Sequence, residues 1–414
     1  MTRGCVAIVD AFPSGKRLQP LFAAAGYECV HVQSSPELPP ALARYFQPDE
    51  YVANIVHDGD PAETLRALAK FQPVHVLPGI ETGVELADLI AEEFGLLGNG
   101  TAGSPARRDK FRMMETVKAA GLRGADQILV TDVPTLLDWY EKVGGRVVVK
   151  PLNSSGSDGV SFCDSAEQVA DAAGRLLSTT NALNFRNTAI LAQEYLYGTE
   201  YYVNTVSRDG RHQVCDIWRT TDVTANGVLD LMENAYLLPR EGPEQDLLVP
   251  YTFAVLDALG IRHGPAHTEL KLTPAGPCVI ETGARVCGGD LPYLVQQAAG
   301  ESQLSWTLDA YLNPERFLAR VGEPYRLSQY VACVCGIAPR DGILRGYTRM
   351  DQVRRLESFQ NLRMIVQPGD RLIRTVDDLS KPFLVDLFHE VQQVVLRDHL
   401  TIRQLDGEDF YDVD

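Results

Sequence analysis

Short apolar runs alternate with amphipathic stretches through the first hundred residues. Cys5–Val9 is a continuous apolar run that predicts a buried strand, and residues 28–32 and 74–78 read the same way. Residues 16–25, 61–71 and 81–94 carry apolar positions at helical spacing. Strands alternating with helices predict a parallel, doubly wound layer. Such sheets bind ligands at the carboxyl ends of their strands, so Asp10 and the turn Pro78-Gly79-Ile80-Glu81 are candidate edges of a cleft.

The pattern changes after residue 145. Val147, Val148 and Val149 form an apolar strand that ends in Lys150 and Pro151, a Leu-Asn-Ser-Ser-Gly-Ser-Asp-Gly loop follows, and residues 160–163 return as a strand. A helix is expected over 166–177, a strand over 189–193, and another over 201–206 with Asn204 inside it. Residues 267–285 form two alternating runs about a Thr-Pro-Ala-Gly-Pro turn. Folded at Ala275, this hairpin sets Glu269 opposite Glu281 on one face with Lys271, and sends Leu270, Leu272, Cys278 and Ile280 to the other. The last hundred residues suggest strands over 330–337 and 362–366, an amphipathic helix over 381–396, and a solvated acidic tail over 405–414.

A chain of 414 residues with 45% apolar content is too long for one ordinary core and has enough apolar side chains for about two to four lobes. The expected fold class is α/β: an N-terminal doubly wound layer over 1–105, a two-lobed unit over 106–312 with its small lobe near 120–197, and an α+β lobe over 313–414. No apolar run reaches the roughly 18 residues of a membrane span. The opening Met-Thr-Arg-Gly-Cys-Val-Ala-Ile-Val-Asp turns acidic too soon for a signal peptide, so a cytoplasmic protein is expected. The eight cysteines show no Cys-x-x-Cys pair and no zinc spacing, which suits small buried apolar residues. A net charge of −17 opposes non-specific binding to nucleic acid or anionic membranes, and a polyanionic ligand needs locally placed cations.

Two opposed carboxylates repel at the roughly 4.5 to 5.5 Å Cβ separation of a directly facing pair, unless a cation sits between them. Hard oxygen ligands favour Mg²⁺. A solvent-facing hairpin is the plainer explanation for Glu269 and Glu281 alone, but Lys271 and Arg285 place anion-binding groups beside them. The Gly/Ser loop offers backbone N–H groups to phosphate oxygens, and Lys150, leaving a buried strand, points an ammonium the same way. Ser14-Gly15-Lys16 resembles the end of a P-loop, but Asp10 stands where its first glycine belongs, and no Gly-x-Gly-x-x-Gly follows the first strand.

The order of these pieces resembles the ATP-grasp superfamily of carboxylate–amine ligases. Lys110 in Arg-Asp-Lys-Phe, Lys150 before the Gly/Ser loop, Gln193-Glu194-Tyr195-Leu196 followed by Glu200, and Glu269 with Glu281 ahead of Arg285 carry the resemblance over roughly residues 105–312. The runs Gly264-Pro265-Ala266-His267-Thr268-Glu269 and Glu281-Thr-Gly-Ala-Arg285 look most like the bacterial L-amino-acid ligases of dipeptide antibiotic synthesis, the bacilysin and dapdiamide synthetase type. The resemblance implies that a carboxylate is activated by ATP as an acyl phosphate and captured by an amine, with release of ADP and phosphate. By the same resemblance Lys110 and Lys150 meet phosphates with Ser154, Ser155, Gly156, Ser157 and Gly159 of the loop. Glu194, Tyr195 and Leu196 meet adenine, Glu200 the ribose, and Lys271 joins the nucleotide set. Glu269 and Glu281 hold Mg²⁺, one or two ions, with Mn²⁺ as a substitute. Arg285, Lys150 and His267 form the catalytic set. Small carboxylate and amino-acid substrates, a homodimer, and no nucleic-acid or membrane partner complete the expectation.

The alternatives are an ATP-grasp carboxylase or purine-pathway ligase, and a nucleotide-binding protein without catalysis, which has no need of two opposed carboxylates. Many ATP-grasp enzymes place asparagine two residues after the second metal glutamate; this chain has Gly283, which brings no side-chain oxygen. His267 is either a satisfied structural residue or a substrate contact. Asp290 is either a receptor for an α-ammonium or a helix cap.

Overall fold

The computed structural model describes residues 3–43 and 45–414. Met1 and Thr2, which open the segment read above as lacking a signal peptide, lie outside the described residues. The parallel layer is present in the order β3-β2-β1-β4, built from Cys5–Val9 (β1), Glu28–Gln33 (β2), Ala53–Val56 (β3) and Pro73–Pro78 (β4). Helices on both faces bury β1 completely, which is why its sequence is a continuous apolar run rather than an alternating one. β3 is a short edge strand with alternate residues exposed, too brief to show in the pattern.

An antiparallel sheet in the order β5-β8-β6-β7 follows, from Gln127–Val130 (β5), Val147–Pro151 (β6), Ser161–Cys163 (β7) and Ile190–Glu194 (β8). Helices Val133–Val143 and Ala166–Leu176 back it, started by Asp132 and Ser165 side chains that accept from Thr135 and Gln168 N–H groups. Val147, Val149, Val169 and Ala173 fill the space between. Each such fully buried valine contributes about 1.5 to 3 kcal/mol relative to exposure.

The central sheet has eight antiparallel strands in the order β13-β12-β9-β10-β11-β14-β18-β16. These are Thr199–Arg208 (β9), Arg211–Ala225 (β10), Val228–Leu237 (β11), Gly264–Thr273 (β12), Gly276–Gly283 (β13), Tyr330–Cys335 (β14), Phe359–Met364 (β16) and Phe383–His389 (β18). A small sheet in the order β17-β15-β19 is made of Gly342–Tyr347 (β15), Arg371–Leu372 (β17) and Tyr411–Val413 (β19). Residues beyond 312 therefore extend the central sheet.

Two C-terminal expectations are corrected. Residues 383–389 form a strand and the helix begins later, at Gln392–Leu405. A run apolar on both faces suits a strand paired on both sides as well as a helix, and periodicity cannot separate the two. The acidic tail is not simply solvated: Phe410 and Tyr411 are buried, with the Phe410 ring 5.6 Å from that of Phe383.

A buried ion pair anchors the N-terminal layer and reaches the end of helix Pro243–Ala258. Arg107 meets Asp88 at 2.8 Å and donates to the Leu259 carbonyl at 3.0 Å. Removing one partner of such a pair costs about 3 to 5 kcal/mol. All eight cysteines are buried and free. Among the described residues no helix is long and apolar enough to cross a membrane.

Candidate active site

The β12–β13 hairpin sets Glu269 opposite Glu281 and His267 opposite Gly283. The simple register does not continue toward the turn. A bulge between Glu269 and Leu270 shifts the pairing, so that Leu270 meets Val279 and Lys271 meets Cys278. Val279 rather than Ile280 therefore joins Leu270 and Cys278 in the core, and Ile280 turns to a cavity of about 180 Å³ that the two glutamates also line.

Lys110 is the first residue of helix Lys110–Ala119, whose start is fixed by Asp109 accepting from the Arg112 N–H at 2.9 Å. Its ammonium donates to Glu281 Oε1 at 2.8 Å and to the Ser154 carbonyl at 2.6 Å, tying the second glutamate to the Gly/Ser loop. Lys150 lies in β6 between buried Val149 and Pro151 and lines the same cavity. Burial and the neighbouring Lys110 charge lower its pKa to about 8. Ser154, Ser155, Gly156 and Ser157 form the loop wall. Gly159 is not among the residues lining the cavity: it has φ of +69°, and a Cβ there would meet Leu176 and Pro151, which suits a turn position.

At the other end, Glu194, Tyr195, Leu196 and Glu200 line the cavity. Glu194 Oε1 accepts from the Asp126 N–H at 2.9 Å. Tyr195 donates its hydroxyl to Asp230 Oδ2 at 2.6 Å, with Phe162 edge-on at 5.8 Å. Lys271 is expected to flank the metal as an anion-binding group, but its charge is spent here: it pairs with Asp230 at 2.8 Å and lies 5.0 Å from the Tyr195 ring centre. Burial and the nearby Glu269 and Asp222 charges raise the Glu200 carboxyl well above its ordinary pKa, which suits a hydroxyl partner.

His267 is held on both nitrogens, Nδ1 by Asn204 Oδ1 at 2.7 Å and Nε2 by Glu269 Oε1 at 3.0 Å. The line continues from Asn204 to Asp216 and Trp218. His267 thus orients Glu269 while also lining a second cavity. Burial opposes charge on the Glu269 carboxyl, yet His267, Arg285 and Lys110 outweigh it and lower its pKa. That state accepts a cation.

Arg285 is ion-paired through Nε with Glu81, whose side chain is 2% exposed. Burial alone would raise the Glu81 carboxyl, but Arg285, Arg108 and Lys110 hold it below the ordinary range. Asp10 lines neither of these two cavities. Its carboxylate accepts from the Ser34 N–H at 2.8 Å and from the Thr82 hydroxyl at 2.5 Å, fixing the turn that delivers Glu81. This arrangement explains Gly283: a Cβ there would stand 2.3 Å from Glu81 Oε1. The carboxylate from the N-terminal layer fills the room a side chain would need. Asp290 does not cap through its side chain. It occupies the cap position of helix Leu291–Ala299 without a side-chain cap bond, and its carboxylate pairs with Arg17 at 2.7 Å.

The second cavity, of about 350 Å³, shares Ser155, Gly156, Glu269, Arg285 and Asp378 with the first, and its lining includes Glu81 and the C-terminal residues Cys333, Cys335 and Leu384. Asp378 and Lys381 line it as well, and nothing in the sequence pattern singles them out. Among the described residues no group of three or more His, Cys, Asp or Glu forms a preformed metal cage. Two opposed carboxylates nonetheless suit Mg²⁺, which takes one or two carboxylates and completes its shell with phosphate oxygens and water.

Comparison with known proteins gives a consistent result. Residues 143–292 match the ATP-grasp domain model. Dapdiamide A synthase of Enterobacter agglomerans is 31% identical over 98% of this chain and 96% of its own. The L-arginine-specific L-amino acid ligase of Bacillus subtilis is 22% identical over 72% of this chain and 70% of its own. Among solved structures, the L-amino acid ligase from Bacillus licheniformis superposes with a TM-score of 0.77 at 18% identity, covering 100% of this chain and 99% of that one.

Proposed function

Because the chain belongs to the ATP-grasp carboxylate–amine ligases, we propose that it joins a small carboxylate to an amino acid through an amide bond. ATP is cleaved to ADP and phosphate by way of an acyl phosphate, in the synthesis of a small peptide of antibiotic type. The observation that carries this reading is the meeting of two cavities at Glu269 and Arg285, one walled by the Gly/Ser loop with Lys110 and Lys150, the other apolar and of amino-acid size.

In this reading Lys150, with its low pKa and its place on the cavity wall, is the charge that most needs an anion, and it meets the phosphates with the loop N–H groups. The adenine end is walled by Tyr195, Leu196, Phe162 and Ile280, and Glu200 faces the ribose. Bound Mg²⁺ would link the phosphates to Glu269 and Glu281 and offset the repulsion between two anions. His267 keeps Glu269 aimed at that cation. Arg285, poised by Glu81, meets the carboxylate that is activated, where it stabilises the growing charge. The Gly/Ser loop over the junction excludes water that would otherwise consume the activated acid. The same reading includes one or two ions with Mn²⁺ as a substitute, a cytoplasmic location, a homodimer, and three units divided near residues 105 and 312.

The test is a screen of amino-acid pairs with Mg²⁺ and ATP, read by phosphate release and product mass. ADP and phosphate should appear only when donor and acceptor are both present. Release of AMP and pyrophosphate, or turnover that requires bicarbonate, would overturn the proposal.

A further inference from the structure

The second cavity needs a cation that no role above supplies. If an amino acid is the acceptor, as proposed, its amine must face the activated carbonyl near Arg285, and its own carboxylate then lies deeper in the cavity. That end is walled by Cys333, Cys335, Ile365 and Leu384. An unpaired carboxylate there would lose its hydration without compensation. Arg285 is assigned to the carboxylate that is activated, and His267 is held by Asn204 and Glu269. The remaining cation on the cavity wall, among the described residues, is Lys381.

Lys381 is 3% exposed, and its ammonium has Asp378 Oδ1 at 2.5 Å as its ion partner. The Cys335 thiol is its other neighbour, and neither contact meets strict hydrogen-bond geometry, so an ammonium with three donors keeps capacity for a further anion. The segment that carries it is rigid. Asp377 Oδ1 accepts from the N–H groups of Leu379 and Ser380, at 3.0 and 2.8 Å, and Asn226 Nδ2 donates to the Thr375 carbonyl at 2.8 Å. The Asp378 N–H also donates to the Gly156 carbonyl at 3.2 Å, which anchors this segment to the Gly/Ser loop. A buried lysine on a cavity wall, held by a single carboxylate, can exchange that partner for an incoming anion.

We infer that Lys381 binds the carboxylate of the amino-acid acceptor, with Asp378 as its counter-ion when the cavity is empty. This deepens the ligase reading and rests on it. The acceptor then spans the cavity with its carboxylate on Lys381 and its amine directed to the junction at Arg285. Asp378 competes with the incoming carboxylate for one ammonium.

The experiment compares L-leucine with L-leucinamide, which lacks only the carboxylate charge. Binding is followed by saturation-transfer NMR in the presence of Mg²⁺ and a non-hydrolysable ATP analogue, so no donor is required. Wild-type protein should bind L-leucine roughly 10- to 100-fold tighter than the amide, the range for a hydrogen bond to a charged group. Lys381→Met should erase that preference, leaving amide and nucleotide affinity unchanged. Asp378→Asn should strengthen L-leucine binding and not amide binding, and it decides the matter if Lys381→Met does not fold. A preference that survives in Lys381→Met, an Asp378→Asn variant with unchanged or weaker L-leucine binding, or equal binding of both probes by the wild type would each overturn the inference. Failure of the ligase reading shows separately, as absent phosphate release in the pair screen.

Discussion

Replacing Gly283 by alanine or asparagine is the sharpest probe of how the N-terminal layer reaches the site. The added Cβ would stand 2.3 Å from Glu81 Oε1. Heavy atoms in contact settle near roughly 3.5 Å, so Glu81 must retreat by about 1 Å. The turn cannot follow freely, since Asp10 holds Thr82 beside it. The retreat removes Glu81 from Arg285, and separating a buried pair of this kind costs about 3 to 5 kcal/mol. For a chain of this size each kcal/mol moves the melting temperature by about 1 to 2 °C, so a drop of about 5 °C is expected. Calorimetry and phosphate release should be run on Gly283→Ala, Glu81→Ala and the double variant. In the Glu81→Ala background the space is empty, so Gly283→Ala should add little, giving a coupling of about 3 kcal/mol or more, nearly its whole cost in the wild type. Simple additivity, or a Gly283→Ala protein that melts with the wild type, would refute the steric account.

Two further predictions concern the nucleotide end. Glu281→Gln should lower turnover more than about 100-fold, since even outer partners of a metal ligand are worth 10- to 100-fold, with an unchanged circular dichroism spectrum; near wild-type activity removes the metal role. Lys150, lowered to about 8 by burial and Lys110, is protonated in the free protein below that pH and largely neutral above it. Phosphate binding restores its charge, so proton uptake belongs to the window between about pH 8 and the ordinary lysine value. At pH 8.5 roughly three quarters of a proton should be taken up, against roughly a tenth at pH 7. Titration calorimetry in buffers of different ionisation enthalpy measures this, and Lys150→Met should abolish it; equal uptake in that variant would assign the proton elsewhere.

Much of the fold is written in local patterns. Parallel strands such as β1 are apolar on both faces, and helices such as Ala166–Leu176 carry their own caps. The hairpin face is also local, because alternation alone opposes Glu269 to Glu281. What alternation cannot show is a bulge, and one inserted residue was enough to exchange Ile280 for Val279. Contacts between distant segments are hidden for a different reason. Glu81 meets Arg285 across the domain junction, and Asp378 and Lys381 enter from the segment just before strand Phe383–His389. Gly283 shows both sides: the residue is visible as a departure, while its cause lies two hundred residues earlier in the chain.

Pairing within the site also sets the order of binding. Lys110 sits on Glu281, Lys271 on Asp230 and Arg285 on Glu81, which leaves Lys150, among the described residues, as the cation of the first cavity without such a partner. A divalent ion arriving alone meets a glutamate already compensated by an ammonium. Two unit charges 4 Å apart interact by about 4 kcal/mol at the effective dielectric of a protein surface, so Lys110 opposes that ion strongly. A triphosphate reverses the balance by drawing Lys110 and Lys150 to itself and freeing Glu281. Metal should therefore bind with the nucleotide rather than before it. Lys110→Met separates this account from a simple loss of function, because its two effects have opposite signs. Without nucleotide, Mn²⁺ affinity followed by electron paramagnetic resonance should rise at least tenfold or so, as the repulsion is worth more than one decade. Nucleotide affinity should fall in the same variant. If Mn²⁺ affinity is unchanged or lower in Lys110→Met, Lys110 does not guard the carboxylate, and the proposed order fails.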